Sequence, residues 1–569
     1  VAVMADLGGL LKGLSFKTAY SVDYTSYYSE AYAEKYAIYE PKWSNVNGKD
    51  MIIGLTKFND DTKSTNEYVG KSTYDQTMTF SAQFDYNRTF KTFHNVSATL
   101  LGWGYQTQSS ADEGHESSDY HRTSNVNLGL RASYNYDHKY YADFSGALVH
   151  SAKLPEGNRN AFSPSVTLGW RLSKEKFMEK LSFIDNLKIR AGYGLAGNQN
   201  GIDSYTTLNL MRPNGIAPVG STPVVTMDKL RNTNPDLKWE VKKTFDVGLD
   251  FGMFDERLSL TLDYYNSKTT DLLYNYDVKV PPFTYPTLLA NLGAMRNTGF
   301  EIAISGPPLK TKDMELNISA NVAFQKNKLL SLNGTYMGES MTAKEYMNLG
   351  GMNGAGFIGG YNQIIYQMVG QPVGVFYLPK CDGLVDNGFG DYTYHVQDID
   401  GVEGVDLADG KDRYIAGQAM PKALLGANIG FRYKQFDIQV QMNGAFGHKI
   451  YNGTSLSYMN MSQFPTYNVL AEAPQKNIKD QTVTDYWLEK GDYLHFDYVT
   501  LGWNLNTKNL KAIKSLRVTF SVNNLATITG YSGLSPMINS TTVGSDLGID
   551  DKRFYPLSRT YSLGLSVNF

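Results

Sequence analysis

The C-terminal stretch from Arg559 to Phe569 constrains the fold more than any other. Tyr561, Leu563, Leu565, Val567 and Phe569 alternate with Ser562, Gly564, Ser566 and Asn568. A period of two puts the large residues on one face of a β-strand and the small or polar ones on the other. A soluble domain seldom leaves so apolar a strand as its final, unprotected edge. A barrel closing in a bilayer needs one, because closure satisfies the strand's backbone groups.

The same alternation recurs at 14–24, 78–86, 93–105, 126–136, 139–150, 162–172, 186–195, 242–252, 257–267, 298–307, 313–324, 421–433, 435–447, 491–504 and 513–524. Most of these segments have the nine to eleven residues or so that a tilted strand needs to cross a bilayer. With the terminal strand the expectation is about sixteen strands, give or take two. Working back from Phe569, short links alternate with long ones. The long ones are 25–75, 106–123, 196–241, 268–297, 325–420, 448–490 and 525–557. Short periplasmic turns and longer extracellular loops mark an outer-membrane barrel, and the pattern puts both chain ends on the periplasmic side. The fold class expected is therefore all-β: one transmembrane antiparallel β-barrel region over 1–569, multi-pass in the outer membrane. The link 173–185 is long enough for a helical turn capping the barrel rim.

Composition agrees. Aromatics are 13% of the 569 residues, with 41 Tyr and 27 Phe, yet no apolar run approaches the roughly 18 residues of a membrane helix. A net charge of −3 gives no reason to expect a nucleic-acid partner. Cys381 is the single cysteine and reads as a small loop residue, with no disulfide or multi-cysteine metal site available to it. The chain starts at Val1 without a signal peptide, so it reads as a processed or cropped product.

Several blocks resemble the SusC-like branch of the TonB-dependent outer-membrane transporters. They are Phe162-Ser-Pro-Ser-Val-Thr-Leu-Gly-Trp-Arg-Leu172, Leu187-Lys-Ile-Arg-Ala-Gly-Tyr-Gly194 with Gly197-Asn-Gln199, and Asn234-Pro-Asp-Leu-Lys-Trp-Glu240 leading into Thr244-Phe-Asp-Val-Gly-Leu-Asp250 and Asp263-Tyr-Tyr-Asn266. Asn297-Thr-Gly-Phe-Glu301, Val518-Thr-Phe-Ser-Val-Asn-Asn-Leu525, Thr529-Gly-Tyr-Ser-Gly533 and Tyr555-Pro556 continue the series to the terminal strand. The resemblance implies the C-terminal part of a barrel of about 22 strands. It also implies a plug domain and TonB box that this sequence does not contain. Its other implications are import of oligosaccharides or oligopeptides, a SusD-like surface lipoprotein as lid, and energy from TonB-ExbB-ExbD through the missing N-terminal part. Tyr561, Leu563, Leu565, Val567 and Phe569 resemble the terminal signal read by the barrel-insertion machinery.

Such an importer needs selective contacts rather than a nucleophile. The expected inward faces carry both signs of charge: Asp23, Asp85, Arg131, Arg171, Lys188, Arg190, Asp246, Asp250, Glu301, Arg432, Asp437 and Arg517. In the loops, Tyr27, Tyr28, Tyr32, Tyr36 and Trp43, with Tyr361 and Tyr366, offer flat aromatic faces for a substrate or a lid. Tyr24 fits an aromatic girdle at the membrane interface instead. Asp398, Asp400, Asp409 and Asp412 are candidate oxygen ligands for Ca²⁺ in an extracellular loop, although Val402 and a displaced glycine break the EF-hand spacing. No other cofactor is expected. Two rival readings stand. One is a passive, self-contained sixteen-stranded porin, which would pair 14–24 directly with 558–569. The other is an outer-membrane hydrolase using His495 and Asp497, for which no serine elbow is present and no enzyme activity is expected.

Overall fold

The structure, a computed structural model, describes the chain except residues 28–29, 33–35, 62–66, 70–72, 110–120, 204–205, 282, 337–338, 343–345, 352–362, 408–410, 463, 465–467, 508–511, 539–546 and 551–555. Two compact units divide it: 1–88, 97–131 and 147–152 form the first, and 89–96, 132–146 and 153–569 the second.

The first unit holds β1 (Ala2–Asp6), β2 (Leu14–Tyr27) and the bodies of β3 (Thr73–Phe90), β4 (His94–Ser109) and β5 (His121–Tyr136). β2 pairs antiparallel on one edge with β1 and on the other with β3, from Leu14 opposite Tyr86 to Tyr27 opposite Thr73. β1 thus occupies Ser15–Ala19 on one edge of β2, and β3 the length of the other. β1 was not expected. Its residues, Ala-Val-Met-Ala-Asp, are all exposed, so no buried face imprinted a period on them.

The second unit runs through β6 (Tyr140–His150), β7 (Asn160–Arg171), β8 (Ile184–Asn198), β9 (Glu240–Met253), β10 (Leu258–Asp277), β11 (Thr287–Lys310) and β12 (Met314–Ser331). It continues with β13 (Ala423–Tyr433), β14 (Phe436–Phe446), β15 (Tyr493–Leu505), β16 (Ser515–Thr529) and β17 (Thr560–Asn568). From β7 onward each strand pairs antiparallel with the next. All sixteen expected strands are present. Two long loops hold more regular structure than expected. Most of 268–297 is the upper part of β10 and β11, which reach 20 and 24 residues. Within 25–75, Ile38–Val46 and Lys49–Phe58 form a hairpin.

The short links are tight turns. Lys91–Thr92, Asp137–His138, Phe254–Glu256 and Lys434 have positive φ, the twist that suits a hairpin between right-twisted strands. Aromatic pairs flank them: Phe93–Tyr136, Tyr136–Tyr140, Phe183–Phe254 and Phe436–Trp503, with centroids 5.9–6.5 Å apart. Amphipathic rings gathered near the short turns suit a membrane–water interface. Residues 173–185 give two 3₁₀ turns, Leu172–Lys174 and Lys176–Met178, instead of an α-helical one. Glu175 fastens them by accepting from Tyr140 Oη at 2.7 Å and Trp170 Nε1 at 3.1 Å.

The apolar flank of the strands is on the surface. Leu563 and Leu565 are 81% and 70% exposed, and Val247, Tyr264, Phe300, Phe324, Leu501 and Phe520 are exposed as well. The buried apolar clusters of the second unit lie elsewhere, in its loops. One joins Ile364, Ile365, Phe376, Leu378, Tyr394, Tyr451, Trp487, Leu547 and Ile549. The other joins Tyr276, Leu288, Leu329, Leu332, Tyr336 and Met341. A water-soluble protein would have the reverse arrangement.

Candidate functional site

On the polar flank of the second unit, charges meet across strands. Arg190 on β8 lies 3.2 Å from Asp250 on β9 and 2.8 Å from Asp263 on β10, with Asp246 at 3.8 Å. The register explains the reach. Arg190 stands opposite Gly248, which stands opposite Asp263. Gly248 has no side chain, and a Cβ there would overlap both Asp263 Oδ1 and the guanidinium. Arg517 on β16 uses the same lane over Gly502, which is paired with Asp437, to grip Asp437 with two bonds of 2.6 and 2.7 Å. Arg432 meets its direct cross-strand partner Glu315 at 3.0 Å. The sequence could place these charges on one face, but not the glycine lanes, which depend on register. A recess of about 530 Å³ opens on this flank, lined by Lys242, Asp246, Tyr265, Ser267, Glu301 and Asn327 among others. Both signs of charge and many hydrogen-bonding groups meet there, as suits a hydrated polar oligomer.

Among the aromatic candidates, Tyr27, Tyr36 and Trp43 are exposed. Tyr32 ends the strand Glu30–Tyr32, which pairs with Glu67–Val69. Tyr28 and Tyr361 lie outside the described residues. Tyr366 is a correction: it is 1% exposed and cannot offer a face to a ligand. Its ring packs edge-on against Tyr377 at 5.4 Å and its hydroxyl accepts from Arg413 at 3.2 Å, so it is an internal prop of the loop. Tyr24 stacks on Tyr74 at 5.8 Å.

The hairpin around Trp43 exposes Tyr39, of the same aromatic tract, and carries aliphatic residues that were not expected. Ile38, Met51, Ile52, Ile53 and Leu55 are all exposed. Its signal was present in Asn47-Gly48, both at positive φ, between two alternating runs. The hairpin of Met211–Val219 and Thr222–Lys229 in the second unit likewise exposes Ile216, Val219 and Val225. Exposed apolar residues grouped on such hairpins suit a protein partner.

Asp398, Asp400 and Asp412 come together, with a carboxylate oxygen of each within 4.8 Å of the others, while Asp409 lies outside the described residues. Asp412 is fully buried. Its carboxylate accepts from the backbone N–H of Asp406 at 2.8 Å, Ile399 at 2.7 Å and Asp400 at 3.1 Å. These bonds, Asp406's first, hold its pKa below the usual carboxylate range. Asp400 accepts from Val402 N–H at 2.8 Å. The group therefore ties the loop together; the Asp400 side chain is only 17% exposed and lies 4.0 Å from Lys411 Nζ, so a hard cation would have to compete with that lysine.

His495 is 3% exposed. Its Nδ1 meets Thr527 Oγ1 at 2.8 Å, and its Nε2 lies 3.8 Å from Asp497, which accepts from Asn443. Burial thus leaves the His495 ring packed within the strands, while Asp497 stays partly exposed.

The profile of the family described as TonB dependent receptor-like, beta-barrel, matches residues 6–525. TonB-dependent receptor P3 of Formosa agariphila is 28% identical over 563 residues, covering 88% of this chain and 53% of that protein. TonB-dependent receptor SusC of Bacteroides thetaiotaomicron is 27% identical over 490 residues, covering 82% and 46%. The chain thus spans about half the length of the curated relatives it matches. Among solved structures, the RagAB peptide importer in its closed-closed state shares the fold. The TM-score is 0.74 and the identity 18%, over 98% of this chain and 60% of that one. Strands with one exposed greasy flank and one charge-paired polar flank, matched along almost their whole length, make this chain a member of the TonB-dependent receptor β-barrel family, in its SusC-like branch.

Proposed function

We propose that this chain is the barrel part of a TonB-dependent importer, carrying oligomeric nutrients, glycans or oligopeptides, across the outer membrane beneath a SusD-like lipoprotein lid. The reading rests mainly on the paired charges of the polar flank: Arg190 with its aspartates, and Arg517 with Asp437. A wall of fixed charge of both signs offers hydrogen bonds to a moving oligomer. The exposed apolar hairpins supply contact area for a lid. Energy from TonB-ExbB-ExbD would enter through a plug region outside these residues.

The test is uptake by cells of labelled oligosaccharide and oligopeptide pools, with and without a protonophore, together with purification of the protein from outer membranes. Import of one pool that stops with the protonophore, and co-purification of a surface lipoprotein, are the expected results. Uptake that continues unchanged without a proton gradient would instead identify a passive pore.

A further inference from the structure

On the apolar flank of the second unit, β9 to β12 align in rows. Phe251, Leu260, Ile304 and Ala320 stand opposite one another, then Leu249, Leu262, Ile302 and Val322, then Val247, Tyr264, Phe300 and Phe324. The next row, Phe245, Asn266, Thr298 and Lys326, begins to turn polar. The row above it is entirely cationic: Lys243 opposite Lys268, Lys268 opposite Arg296, and Arg296 opposite Lys328. All four are exposed, as is Lys326. Among the described residues none of the five is in an ion pair.

Like charges directly opposite on neighbouring strands repel and destabilise a sheet. Four in register, without a carboxylate between them, form a site that an external anion would relieve. Its depth says which anion. Ten residues of β9 separate Met253, beside the short turn, from Lys243. At about 3.3 Å per residue and a tilt near 45°, that is roughly 23 Å of depth, close to the ~25 Å apolar band of an outer-membrane barrel. The cations therefore stand at the extracellular edge of the hydrocarbon layer, directly above rows of aromatic and aliphatic side chains. A recess of about 590 Å³ lined by Tyr264, Thr298, Phe324, Lys326, Pro372 and Lys422 adjoins the row.

We propose that Lys243, Lys268, Arg296 and Lys328, with Lys326 beneath them, bind the phosphorylated headgroup of a lipid in the extracellular leaflet. Its acyl chains lie on Phe245, Tyr264, Phe300 and Phe324. Charge above and grease below occur on one face in the order in which a lipid presents them. A soluble acidic substrate would have no use for the apolar rows, and its path is the opposite flank.

The protein and its K268Q/R296Q variant are purified from outer membranes in mild detergent, and bound lipid is read by native mass spectrometry. Both are then placed in phosphatidylcholine nanodiscs containing either phosphorylated or enzymatically dephosphorylated lipid A. The wild type should retain at least about tenfold more phosphorylated lipid than the variant, and the excess should fall with added salt. The charge-preserving K268R/R296K variant should keep the lipid, and dephosphorylated lipid should not be retained. Unchanged migration of the unheated protein on gels reports insertion; if the double variant fails there, K328Q is read in its place. Equal retention by variant and wild type, or equal retention of the dephosphorylated lipid, overturns the proposal. So does loss of an acidic protein partner while bound lipid is unchanged. Uptake that fails with lipid binding intact counts against the import reading alone.

Discussion

At the scale of single residues, the two glycine lanes are the sharpest device on the polar flank. Gly248 and Gly502 each sit where a Cβ would overlap a cross-strand Arg–Asp pair. Alanine at either position should push the pair apart at a cost of about 1 kcal/mol or less, because the atoms it meets are the mobile ends of partly exposed charged side chains. Alanine at Gly54, with nothing near its Cβ direction, is the control expected to show almost no loss. Urea unfolding of the refolded barrels would separate the two cases. Asp412 offers a pH test. Backbone donors hold its folded pKa below that of the unfolded chain. Its stabilising effect is therefore complete above the unfolded carboxylate value, near pH 4, and is lost only as pH falls through the lower folded one. Hydrogen exchange at Ile399, Asp400 and Asp406, corrected for intrinsic rates, should stay flat from pH 8 to about 4 and rise below. In D412N it should be at least about tenfold faster throughout. Equal protection in the variant would show that the carboxylate does not hold this loop.

At the scale of elements, β17 puts the two flanks to a direct comparison. Leu565 is exposed on the greasy side, opposite Val518, and its neighbour Ser566 faces the other way, opposite Arg517. Arginine for Leu565 should cost about 2–4 kcal/mol where it meets the middle of the bilayer, and less toward the interface. Arginine for Ser566 should be tolerated far better, unless repulsion from Arg517 dominates. Deleting Phe569 should lower the amount of protein reaching the outer membrane, and unchanged levels would remove its part in assembly. The same alternation made sixteen strands legible in the sequence, since each must keep one side in lipid and the other in water. β1 escaped because its five residues bury nothing. The hairpin at 38–58 escaped because its strands are mostly exposed on both faces, which leaves the Asn47-Gly48 turn as its main signal. Of the candidate sites, three clustered aspartates were legible from a short acidic run. The burial of Tyr366 was not, because its neighbours Tyr377 and Arg413 come from other strands of the loop.

At the scale of the whole molecule, the second unit has two stabilities that rest on different solvents. Its strands depend on lipid for their apolar flank, whereas its loops carry a core of their own. That core joins 364–378, 394, 451–459, 473–487 and 547–549, stretches too far apart to share any sequence period. Trp487 is its largest side chain. It packs edge-on against Tyr486 at 5.0 Å and donates from Nε1 to Tyr394 Oη at 2.7 Å. Alanine there empties a large buried volume and leaves the Tyr394 hydroxyl without this donor, a change worth about 3–5 kcal/mol. Because the strands draw little of their stability from this core, the loss should stay local. Amides of 364–396 and 448–490 should exchange faster, while the unheated barrel keeps its compact migration on gels and its resistance to protease within the strands. If the proposed import function holds, capture of the oligomer and of a lid should weaken together. If W487A instead melts strands and loops in a single step, the two layers are one cooperative structure.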